Sequence, residues 1–177
     1  MATIYNWKHV VFEQVGLDSN ELQWNSISNV DGDNAYNDWN ISRMRNTHLP
    51  AKLLLLSNDL QSILTNTTIQ TATNGNNGVL VSTSDKLFLA AEKEMTGTRI
   101  NSVSQEFNAL TTRTYRTTHT TDNDRIKKDP TNTDRSYWLR SPVSGVTGGA
   151  VYANNVGGLG GANVNGYAYR VSLCYAL

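Results

Sequence analysis

Several of the residues that usually announce a function are scarce in this chain. Of 177 residues, one is cysteine, three are proline and three are histidine. A lone Cys174 excludes an internal disulfide, a multi-cysteine zinc site and a CxxC redox pair. Its place in the last apolar segment predicts a small, buried side chain. His9, His48 and His119 are scattered along the chain in no metal-ligand spacing, so neither a metal nor any other cofactor is expected. Charged residues make up 17% and cancel, 15 basic against 15 acidic, which leaves no electrostatic footprint for nucleic acid or an anionic membrane. The longest aliphatic run is Leu53 to Leu56, and no basic stretch followed by an apolar run opens the chain. No export signal and no membrane insertion are expected.

Catalytic motifs are also missing. There is no nucleophile elbow, and Gly157-Gly158-Leu159-Gly160-Gly161 is followed by Ala162-Asn163-Val164-Asn165, without the Lys-Ser/Thr pair or helix start that a phosphate loop requires. Asp31-Gly32-Asp33-Asn34 offers oxygen atoms but no closing Glu at calcium-loop spacing, so it reads as a turn. A non-enzymatic role follows as the expectation.

What the chain has in excess is small polar residues: 21 Asn, 20 Thr and 14 Ser, nearly a third of the total. Such side chains hydrogen-bond to nearby backbone and favour turns and strand edges. Thr3 to Val15 reads as one or two strands and Glu21 to Ser28 as a weaker one. Asn40 or Ser42 can cap a short helix, Pro50 breaks the run, and Leu53, Leu56, Leu60 and Leu64 follow helical spacing over Pro50 to Leu64. Thr65 to Asn77 reads as solvated loop closing in an Asn/Gly turn. Gly78 to Ser82 and Lys86 to Ala90 read as strands, and Ala91 to Met95 as a short helical segment stopped by Gly97. The polar stretch that follows, with a Thr/Arg tract at Thr111 to Thr121, reads as a long surface excursion.

The C-terminal part is the most distinctive. Tyr137-Trp138-Leu139-Arg140-Ser141-Pro142 precedes Gly145 to Gly166, which holds eight of the 13 glycines, and Tyr167 to Leu177 alternates as a strand. With Ala150 to Ala153 as a further strand, the segment forms a hairpin or meander. Trp7, Trp24, Trp39 and Trp138 stand beside apolar residues and are expected in the core. Arg140 is expected to tie a loop to a strand end. Tyr152, Tyr167 and Tyr169 stand instead among Gly and Asn, the composition of adaptable recognition surfaces.

The order Trp39, Ser42, Met44-Arg45, then Asp85-Lys86-Leu87-Phe88-Leu89 with Glu92, Glu94 and Gly97, then Arg125-Ile126-Lys127, then Trp138-Leu139-Arg140-Ser141-Pro142 resembles a family of C-type-lectin-like domains. That family occurs in bacterial surface proteins and phage virion proteins and is related to the variable proteins of diversity-generating retroelements. The resemblance implies an α+β C-type-lectin-like fold: a twisted antiparallel sheet with two short helices and long loops. One domain spans 1–177, with the strands of 1–37 as an attachment extension. Trp138, Arg140 and Pro142 would be its structural motif. The implied function is a non-catalytic receptor- or ligand-binding protein on a phage tail or capsid, with the bacterial cell surface as the other setting. Tyr152, Asn154, Asn155, Asn163, Asn165, Tyr167 and Tyr169 would face the ligand, a host surface protein or glycan. The alternative is a structural decoration or connector subunit whose Asn/Tyr face meets other virion subunits. A homo-oligomer is expected in either case.

Overall fold

The computed structural model describes residues 11–14, 16–25, 37–73, 78–110 and 121–177. Trp7, the Asp31 turn, the turn after residue 73, most of the Thr/Arg tract and most of the first expected strand lie outside these residues. The fold mixes short helices with small antiparallel sheets, an α+β arrangement.

At one end, β1 (Val11–Glu13) pairs antiparallel with the last strand, β11 (Cys174–Ala176). Strand β2 (Leu22–Gln23) pairs with β10 (Ala168–Tyr169). Between them the chain forms a π-helical turn, Met44–His48, which runs directly into α1 (Leu49–Leu53). Pro50 therefore stands in the first turn of α1 instead of breaking the run; a first-turn residue needs no N–H for the helix ladder. The expected single helix to Leu64 divides, because Ser57 caps a new one, α2 (Asn58–Ile63), by accepting from Leu60 N–H at 3.3 Å. Leu54 and Leu55 fall in the break and are exposed.

The Thr-rich segment after Leu64 is strand where loop was expected. β3 (Thr67–Ala72) pairs over its full length with β4 (Leu80–Asp85). Thr67, Ile69 and Thr71 turn inward while Thr68 and Gln70 face solvent, the period-two pattern that suits β-branched side chains. Lys86 to Ala90, expected as a strand, is an extended thread with one bridge, Phe88 to Cys174. Leu87, Phe88, Leu89 and Ala90 are all buried, so the segment passes through the core instead of lying in a sheet. The helix expected at Ala91 to Met95 is α3 (Glu92–Thr96), and Gly97 ends it in the left-handed region at φ 71°. Within the expected surface excursion lies a further helix, α4 (Ser104–Ala109), anchored by the buried Glu106. Beyond it, β5 (Lys127–Lys128) pairs with β6 (Asp134–Arg135).

β7 (Tyr137–Pro142), β8 (Gly149–Ala153) and β9 (Leu159–Asn163) form a three-stranded sheet in that order. Every residue of β7 is buried, so it reads as a continuous run, as strands covered on both faces do. The single C-terminal strand expected from Tyr167 to Leu177 is two strands, β10 and β11. Between them Arg170 N–H donates to Ser136 C=O and Trp138 N–H to Arg170 C=O, moving the chain from β2 past β7 to β1. Trp24, Trp39 and Trp138 are fully buried, and Trp24 packs against both of the others, with ring centroids 5.5 Å (Trp24–Trp39) and 5.9 Å (Trp24–Trp138) apart. Cys174 is buried. Among the described residues no helix is long and apolar enough to cross a membrane.

Candidate ligand-binding site

The C-terminal strands bring the three tyrosines together. Tyr152 on β8 lies between Trp138 of β7 and Gly160 of β9 in the sheet register. Its ring occupies the space that a side chain at position 160 would need: a Cβ there would stand 2.9 Å from Tyr152 Cε1. Glycine at 160 lets the aromatic ring cover the neighbouring strand. Tyr169 stacks on Tyr152 at 4.6 Å with a 20° interplanar angle, and packs against Trp138 at 4.7 Å. Tyr167 stacks in turn on Tyr169, at 6.0 Å and 15°. The rings run from the buried tryptophans outward, and Tyr167, 54% exposed, is the outermost. Burial, together with the Tyr152 hydroxyl, pushes the Tyr169 phenol up to about 12, so Tyr169 stays neutral across the physiological range.

The asparagines are placed differently from one another. Asn154 Oδ1 accepts from Val156 N–H at 3.0 Å and Gly158 N–H at 2.9 Å. Asn163 Oδ1 accepts from Asn165 N–H at 2.9 Å and Gly166 N–H at 3.1 Å. Both side chains close the turns in which they stand, as Asx side chains do. Asn155 is exposed in the first turn and Asn165 half-buried in the second. These two turns stand at opposite ends of β9, whose five residues span about 13 Å. The seven residues singled out from the sequence thus form a tyrosine stack and two separate turns, not one patch.

The loop bearing Asn154 and Asn155 is pinned from outside. Gly157, at φ 83°, comes so close to Asp122 that a Cβ would stand 1.6 Å from the Asp122 carbonyl oxygen. The buried Arg125 guanidinium donates to Gly157 C=O at 2.7 Å.

A second cluster escaped the sequence reading. Arg140 is fully buried and forms a two-pronged ion pair with Glu94, at 2.5 and 2.6 Å, while donating to Leu89 C=O. The structural role expected for Arg140 thus connects β7 to α3. Ser141 accepts from Glu92 N–H and donates to Glu106. Glu106 also accepts from Ala72 N–H at 3.0 Å. Glu92 accepts three backbone N–H groups, from Ile100, Asn101 and Ser102. Burial raises the Glu106 carboxyl to about 7 against the pull of Arg140 and its hydrogen bonds, with Glu94 adding to the rise. The Glu and Ser side chains resemble a catalytic set only in composition. All are at most 2% exposed, and they join α3, α4 and β3 to the Trp138 strand.

Asp129 organises a third cluster. The Thr131 hydroxyl first, then Thr133 N–H and the Arg135 guanidinium, hold its carboxyl well below the usual carboxylate range, and Arg170 pairs with it at 3.1 Å.

The family described as Domain of unknown function (DUF6273) matches residues 17–176. No curated protein and no solved structure matches the chain.

Proposed function

The chain belongs to the DUF6273 family, and we propose that it is a non-catalytic recognition module of C-type-lectin-like fold, displayed on a phage tail or capsid. It binds an uncharged portion of a host surface glycan or protein through Tyr152, Tyr169 and Tyr167. The observation that carries this reading is the outer tyrosine stack: an exposed ring held in register by two rings beneath it, themselves seated on buried Trp138. An aromatic surface already ordered before contact loses little conformational freedom on binding. With no charged side chain in the stack, the affinity would depend weakly on salt. Asn155 borders the stack's loop and offers an exposed amide; Asn154 and Asn163 support the surface from within their turns.

The test is binding of the purified chain to an array of bacterial surface glycans and to intact bacterial cells. Tyr167→Ala removes the outer ring, and a loss of tenfold or more is expected with unfolding changed by no more than about 0.5 kcal/mol, as for an exposed side chain. Tyr169→Phe keeps the packing on Trp138 and isolates the hydroxyl. Undiminished binding by Tyr167→Ala would remove the stack from the site. The structural-subunit reading has its own support in the exposed apolar side chains of Leu54, Leu55 and Ile63, away from the tyrosines in sequence.

A further inference from the structure

Strand β9 is the last strand of its sheet, and its outer side pairs with no other strand among the described residues. Which of its backbone groups face outward follows from the bonds at its two ends. Asn154 N–H donates to Gly158 C=O at 2.8 Å, and Val164 N–H to Gly148 C=O at 3.0 Å. Hydrogen-bonded and non-bonded pairs alternate along an antiparallel ladder. With Tyr152 opposite Gly160 and Ala150 opposite Ala162, residues 160 and 162 therefore bond inward to β8. Leu159, Gly161 and Asn163 turn their N–H and C=O groups to the open edge; of these, Asn163 C=O also receives Tyr167 N–H at 3.2 Å.

Proteins usually guard such an edge with Lys, Pro or an inward charge. From Val156 to Asn163 the sequence is Val-Gly-Gly-Leu-Gly-Gly-Ala-Asn, without a charge or a proline. Beside the edge lies an open depression of about 590 Å³, bounded by Val143, Val146, Gly149, Gly161 and Asn163. It lies on the face toward which residues 159, 161 and 163 point: a Cβ on Gly161 would meet Val143 Cγ2 at 2.7 Å, whereas one on Gly160 would meet Tyr152 on the other face.

We propose that β9 pairs antiparallel with β9 of a second copy about a two-fold axis at Gly161, giving a dimer with one continuous six-stranded sheet. The strand is complementary to itself in this register. Gly161 faces Gly161 of the other copy, and Leu159 faces Asn163, so that all three outward-turned residues form hydrogen-bonded pairs. Directly opposed residues point to the same face, so Leu159 of each copy enters the depression of the other, beside Val143 and Val146. The absence of charge along the edge means that two like strands meet without repulsion. The axis is perpendicular to the sheet, so both tyrosine stacks face the same way, about 16 Å apart by strand spacing.

Sedimentation of the full chain from micromolar to millimolar concentration, with residue-resolved amide exchange, tests the proposal. The expected result is a species of twice the 19.6 kDa chain mass. The Leu159 and Gly161 amides should exchange at least tenfold more slowly as it forms, while those of Gly160 and Ala162 are protected at every concentration. Leu159→Lys should return the chain to a monomer. The exchange pattern of the unaltered chain decides the matter if that variant fails to fold. A monomer at all concentrations overturns the proposal and leaves the edge to a strand of another protein; a dimer in which Leu159 and Gly161 exchange as fast as in the monomer overturns it as well.

Discussion

Glu106→Gln isolates the energetic cost of a buried acid. Glu106 is 1% exposed and accepts from Ala72 N–H and the Ser141 hydroxyl, and its carboxyl rises from 4.5 to about 7. A carboxyl with a raised value binds its proton more tightly in the folded chain than in the unfolded one. Below pH 4.5 both states are protonated and the stability is fully present. As pH climbs from 4.5 the unfolded chain ionises first, so stability falls, and the loss is complete above pH 7. A shift of this size corresponds to about 3 kcal/mol. Glutamine is nearly isosteric and can still accept from Ala72 N–H, but it cannot ionise. Urea unfolding followed by tryptophan emission at pH 5, 6, 7 and 8 should therefore show the wild type losing about 2–3 kcal/mol relative to the variant across that range, part of the loss being already complete at pH 5. At ordinary urea sensitivities the relative midpoint shift is roughly 1–3 M. Other titrating groups are common to both proteins and cancel in the difference. Parallel stability curves for the two would refute the argument that burial outweighs Arg140 at this site.

Gly157→Ala should destabilise the chain by several kcal/mol, measured in the same urea assay. A Cβ at 157 would collide with the Asp122 carbonyl oxygen and the backbone φ is positive; a loss below about 0.5 kcal/mol would show that the loop swings free. Asp129→Asn should lower the melting temperature at pH 7. Because the Asp129 carboxyl is held below its ordinary 3.8, its contribution is present above that pH and disappears as pH falls through the folded-state value. The gap between wild type and variant should thus narrow below pH 4, and a constant gap would assign Asp129 a role independent of charge.

Side chains whose role depends on neighbours in sequence were the readable ones. Gly97 announced the end of α3, and Trp24, Trp39 and Trp138 announced the core by their apolar neighbours. Ala150 to Ala153 was visible as a strand between glycines, and Arg140 as a structural arginine. The Thr-rich β3 reads as loop in the sequence because Thr67 and Thr71 bury their methyl groups with little hydrophobic signal. The burial of Glu92, Glu94 and Glu106 has no mark in the sequence, since their partners, the backbone amides of residues 100–102, Arg140 and Ser141, are brought to them by the fold. The tyrosines come together because Tyr152 stands on β8 and Tyr169 on β10, with Tyr167 just ahead of β10. The asparagines were grouped by composition alone, which does not reveal that Asn154 and Asn163 turn their oxygens toward their own loops.

The tyrosine stack and its loops also divide the C-terminal segment by how freely it can diverge over generations. Gly157 and Gly160 admit no larger residue without moving Asp122 or Tyr152, and Asn154 and Asn163 close their turns. The side chains of Asn155, Val156 and Tyr167 extend into solvent from a backbone fixed by those neighbours. Heritable change at these three positions can alter the exposed chemistry of the surface while the scaffold that presents it is inherited intact, so such chains need not rediscover how to fold.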